Sequence, residues 1–193
     1  MVKIARMFDF KIKLTTRLFC VLLFIAIPFI ASADISFKNF KVVGTAPKYQ
    51  VLTAIEFELT TYLQDALKSG VVLNARVQFR LNEHQEWWFN KETTLSTIHY
   101  QLKYHALSRH YLLTRNDTNE HWNFSNLSTT LRKLGEFRKY HLPAINLPLT
   151  TGDYSLFAVA DMTPATLRLP LRIQSLFSDK YRLSSEGVLW PLP

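Results

Sequence analysis

The sequence predicts a mainly β protein: an antiparallel sheet or β-sandwich carrying two short helices, with an α+β arrangement as the alternative. Three observations predict it. At least seven short segments show period-two or continuous apolar patterning, only two stretches show helical spacing, and strands and helices do not alternate regularly.

The chain opens on Lys3, Arg6, Lys11, Lys13 and Arg17, followed by an apolar run over residues 18–30 and the small residues Ala31-Ser32-Ala33 that a signal peptidase accepts. The run is 13 residues long, whereas a spanning helix needs roughly 20. Residues 1–33 therefore read as a cleaved signal peptide and residues 34–193 as one globular domain. The expected location is the periplasm, with no stable membrane span after cleavage; an inner-membrane anchor facing the periplasm is the alternative. Of the formal charge of +8, much belongs to the leader: the remainder holds 18 basic and 14 acidic residues, or +4. That ordinary balance, together with export, argues against nucleic acid as a partner. Cys20, the only cysteine, lies in the leader, so the exported part has neither a disulfide nor thiol chemistry. Arg17-Leu18-Phe19 before it lacks the small residues of a lipoprotein signal.

Ile35, Phe37, Phe40 and Val42 keep an imperfect period of two, which predicts a first strand with a bulge near Lys38-Asn39. Thr45-Ala46-Pro47 turns the chain, and from Tyr49 the apolar positions Val51, Ile55 and Phe57 predict a second strand. The spacing then changes to Leu59, Leu63, Ala66 and Leu67, a short amphipathic helix with Lys68 in its last turn and Gly70 as its left-handed cap. Val71, Leu73, Ala75, Val77, Phe79 and Leu81 alternate with polar residues in the clearest strand pattern of the chain. Glu86-Trp87-Trp88-Phe89 is expected to return as its hairpin partner. A further pair is read from Ile98, Tyr100, Leu102 and Tyr104 with residues 111–114, and residues 121–124 add a short strand. Ser125 is the expected N-cap of a second helix carrying Leu127, Leu131 and Leu134, which Gly135 ends. Residues 137–152, punctuated by Pro143 and Pro148, read as extended loop. Residues 154–160 form an apolar strand, Leu169-Pro170-Leu171 an edge-like segment, and residues 182–190 a last strand containing Gly187.

No chemistry is spelled out. His99, His105 and His110 lie close in sequence, but on one strand His99 and His105 would be about 20 Å apart, too far to share an ion. G-x-S-x-G and glycine-rich phosphate loops are absent, and Glu56 and Glu58 lie on one strand, without the opposed placement that a glycosidase pair needs. The unusual feature is aromatic density. Trp87, Trp88, Tyr100, Tyr104, Tyr111 and Trp122 are interleaved with Lys103, Arg109 and Arg115, either as a platform for a partner or as the apolar face that alternating strands require. Strand alternation sends Trp87 and Trp88 to opposite faces, which places one of them near the surface or under a loop.

Four strings, Ala66-Leu67-x-x-Gly70-Val71-x-Leu73, Glu86-Trp87-Trp88, Tyr104-His105-Ala106-Leu107-Ser108-Arg109-x-Tyr111, and Leu169-Pro170-Leu171 with residues 184–190, resemble the DUF4390 family of exported proteobacterial proteins of unknown function. The string from Tyr104 to Tyr111 is the most specific. The resemblance implies a periplasmic setting and supplies no catalytic residue, cofactor or substrate. It implies a partner by association, because genes of the family often lie near one for a nitrogen-regulation-type sensor kinase. The expectation is a non-enzymatic binding or accessory protein for an envelope or inner-membrane sensor protein, with Trp87, Trp88, Tyr104, Arg109 and Tyr111 as contact residues. No cofactor and no metal are assigned. An envelope hydrolase using scattered residues such as His105 or Asp161 is the alternative, and a purely structural envelope factor a third reading.

Overall fold

Two antiparallel sheets face each other in the computed structural model, which describes residues 34–84, 91–145, 154–165 and 182–192. The smaller sheet has the order β1 (Ile35–Thr45), β2 (Lys48–Phe57), β7 (Glu136–His141). The larger runs β10 (Val188–Pro191), β8 (Tyr154–Pro164), β3 (Leu73–Glu83), β4 (Lys91–His105), β5 (His110–Arg115), β6 (Glu120–Phe124), and β9 (Leu183–Ser184) also pairs with β8. Among the described residues the architecture is mainly β with two short helices, as the sequence pattern predicts, and the period of two is visible in burial. Tyr49, Val51, Thr53, Ile55 and Phe57 of β2 point inward against Leu73, Ala75, Val77 and Phe79 of β3 and Leu156, Ala158, Ala160 and Met162 of β8, all in one apolar cluster apart from Thr53. Phe79 joins the layers: its ring centroid lies 5.9 Å from that of Phe137 and 5.4 Å from that of Tyr140, both on β7. At the other edge Phe40 of β1 meets Trp190 of β10 at 6.4 Å.

The β1–β2 register shifts between Lys38 and Lys41, with Asn39 at φ +52°, where the imperfect alternation predicts a bulge. Helix α1 (Thr61–Lys68) begins after Thr60, whose hydroxyl accepts from the Leu63 N–H, and buries Leu63 and Leu67. Gly70 at φ +88° donates to the Leu67 carbonyl while Val71 donates to that of Ala66, a paired closure that requires a left-handed residue and explains why β3 starts at Leu73 instead of Val71.

Four readings need correction. The partner of β3 is the long strand β4, with Glu83 opposite Lys91; Glu86-Trp87-Trp88-Phe89 lies outside the described residues, as does Leu169-Pro170-Leu171. The cap of helix α2 (Leu127–Leu134) is Asn126, not Ser125: its side-chain oxygen takes the Thr129 N–H at 2.8 Å. Residues 136–141 are strand β7, not loop. Lys139 at φ +56° and a register shift against Val51/Thr53 put Phe137 and Tyr140 on the same inward side, three residues apart, which hides a strand from any search for period two. The last strand is interrupted at Ser185–Gly187. There the Ser185 hydroxyl accepts the Ala160 N–H at 2.9 Å, in place of a ladder carbonyl, while Ser185 N–H donates to the Ala160 carbonyl. Ser185→Ala strands that buried N–H, so a loss of about 1–2 kcal/mol is expected in urea unfolding; an unchanged midpoint would mean that Ala160 finds another acceptor.

Candidate functional site

The string that carries most of the family resemblance becomes the outer end of β4, a four-residue turn and the start of β5. Its inner face is aromatic. Tyr104 and Tyr111 stand opposite each other in register, their ring centroids 4.9 Å apart, with Tyr111 buried and Tyr104 half-buried against the core. At the base of the turn His105 pairs with His110, and both rings reach Ser108: His105 Nδ1 lies 3.1 Å from its hydroxyl, and His110 Nδ1 donates to its carbonyl oxygen. Arg109 closes the turn in the left-handed region at φ +55° with its side chain exposed. These bonds fix a tight turn over a tilted tyrosine pair, and its apex is Leu107, 93% exposed. On the outer face of the same hairpin Leu112, 40% exposed, stands opposite Lys103.

Tyr104, Arg109 and Tyr111 lie on one hairpin, but their positions divide. The two tyrosines support the hairpin from beneath, and Arg109 is presented with Leu107. Trp87 and Trp88 lie outside the described residues. The other rings of the suggested platform are engaged elsewhere. Trp122 is half-buried under the Lys133 ammonium, 5.1 Å from its ring centre. Tyr100 is buried, and burial pushes its phenol up to about 12, with the Arg115 charge acting in the opposite sense. Arg115 grips Asp117 through both carboxylate oxygens, at 2.9 and 2.8 Å, and lies 5.8 Å over the Tyr140 ring. Partial burial works against the Asp117 carboxylate, but the Arg115 hydrogen bonds and charge, with backbone N–H groups, hold it below the usual range. Arg115 is thus a structural cation, not a free contact.

Among the described residues no group of three or more His, Cys, Asp or Glu side chains could hold a metal ion. His105 is bound into the hairpin, whereas Asp161 accepts from Arg76 Nε at 2.8 Å across the β3–β8 register, so the two do not share a site. The apical leucine escaped the sequence reading. Its signal was a large apolar residue in the turn Ala106-Leu107-Ser108-Arg109, between two strands that already supply their own inward residues.

No curated protein and no solved structure matches the chain. A family model described as "Domain of unknown function (DUF4390)" matches residues 32–191, nearly the whole length beyond the leader pattern. The chain belongs to the DUF4390 family.

Proposed function

We propose that this is an exported, non-catalytic accessory protein of the bacterial envelope that docks through the β4–β5 hairpin onto the extracytoplasmic part of an inner-membrane sensor. The observation that carries the reading is the presentation of Leu107. A lone surface leucine is ordinary. This one stands 93% exposed on a turn held by two histidines and a tyrosine pair, with Arg109 beside it. A rigid turn loses little conformational entropy on binding, and an apolar tip ringed by polar groups is the pattern of an anchor residue entering a partner's pocket. The leader pattern supports the envelope setting, and the protein's own fold has no use for an apolar side chain at that apex.

The test is Leu107→Asp. Because the side chain makes no use of the core, stability is expected to stay within about 0.5 kcal/mol of the parent. Co-purification of the sensor after reversible crosslinking in cells should fall by at least about tenfold, the scale on which the loss of an anchor residue is felt. Unchanged co-purification with an intact fold would remove the hairpin from the interface.

A further inference from the structure

The outer face of the smaller sheet is not flat. A groove of about 840 Å³ crosses it, with Leu52 and Ala54 of β2 on the floor, Asn39 and Lys41 of β1 on one side, and Glu136, Arg138 and Lys139 of β7 with Arg132 of α2 on the other. Both walls are shaped by the two bulges: Asn39 and Lys139 are non-glycine residues at φ +52° and +56°, each sits at a register shift against β2, and each lines the groove. Such conformations cost free energy and persist where the fold needs a particular shape. A bulge bends its strand and increases the local twist, and the groove lies between the two bulged edge strands.

Charge distinguishes the trough from a simple fold in the surface. Four cations, Lys41, Arg132, Arg138 and Lys139, line it against one carboxylate, Glu136, and that carboxylate is held by Lys133 at 3.6 Å and by Arg138. Among the described residues Lys41, Arg132 and Lys139 make no ion pair, and all three are exposed. Unpaired cations thus stand on both sides of an apolar floor.

We propose that this groove receives an acidic, amphipathic segment of a protein partner, with apolar side chains on Leu52 and Ala54 and carboxylates toward Lys41, Arg132 and Lys139. Charge complementarity selects the sign of the occupant, and the recessed apolar floor selects its form. A planar layer of anionic headgroups would reach the rim cations but leave the floor unfilled. The groove is built from β1, β2, β7 and α2, and the hairpin tip from β4 and β5, so the two surfaces stand or fall separately.

Fluorescence anisotropy with a labelled peptide of Glu and Leu tests the proposal on the purified protein, against a Lys and Leu counterpart and against vesicles of phosphatidylcholine with phosphatidylglycerol. The acidic peptide should bind saturably, weaken with added salt, and weaken at least about tenfold in the Lys41→Glu/Arg132→Glu/Lys139→Glu variant. Leu52→Asp should weaken it independently, and Leu107→Asp should leave it unchanged. The basic peptide should not bind. If the triple variant loses its far-UV spectrum, the single exposed changes Lys41→Gln and Lys139→Gln carry the same test with smaller shifts. Absence of saturable binding by the acidic peptide, equal binding by the charge-reversed protein, or vesicle binding that depends on these cations while the peptide does not bind would each overturn the proposal.

Discussion

Gly135→Ala should unfold the protein at a temperature lower by about 10 °C, from a loss of about 3 kcal/mol or more. The reason is a backbone contact, not backbone conformation. Gly135 ends α2 at φ −86°, which any residue adopts, so no left-handed requirement explains it. A Cβ placed there would lie 1.8 Å from the Ile55 carbonyl oxygen and 2.8 Å from its carbon. Neither atom can rotate away, because both belong to the central strand of the smaller sheet. The Ile55 N–H also donates to the Gly135 carbonyl at 2.8 Å, so relieving the clash breaks the bond that starts the β2–β7 pairing. Thermal unfolding followed by circular dichroism is the measurement. A variant that melts with the parent would show that α2 and β2 do not approach as described.

Phe79→Ala should cost about 3–5 kcal/mol, the range for emptying a fully buried aromatic site. Phe79 has no exposed surface and stacks on Tyr140 while meeting Phe137 edge-on, so it is the ring through which β3 holds β7. Collapse into the space it leaves is opposed on the far side, where the Tyr140 hydroxyl is tied to Ser96 Oγ at 2.7 Å and the Arg115 guanidinium covers the ring. In urea the midpoint should fall while the slope with denaturant stays unchanged. Phe79→Leu, which keeps most of the volume, should lose less than half as much. A loss below about 1 kcal/mol for the alanine variant would contradict the face-to-face packing of the two sheets.

The parts of this fold that were legible keep most of their apolar residues on one period, and in β1 a single slip of that period marked the bulge at Asn39. β3 and β2 alternate inward and outward, and α1 carries Leu63 and Leu67 on one side with Gly70 at its end. What escaped lies where the period is lost within a short strand. In β7 the inward residues are Phe137 and Tyr140, and the left-handed Lys139 between them removes the period that marks a strand. In the last strand the same loss of period at Ser185–Gly187 divides one apparent element in two. The candidate site was legible in a similar measure. Tyr104, Arg109 and Tyr111 come together because a hairpin places nearby residues opposite one another. The basic groove draws residues from positions 39 to 139, and no local pattern in the sequence joins Lys41 to Lys139.

Docking through the hairpin tip can be read by in-cell photocrosslinking from position 107. A photoreactive residue replaces Leu107 in one strain and the exposed Lys48 in a control strain, and mass spectrometry identifies both the adduct and the N-terminus of the protein. The expected product is a chain beginning at Asp34 and joined from position 107, not from position 48, to one inner-membrane sensor. A chain that keeps its leader residues, or adducts that are the same from both positions, would contradict it.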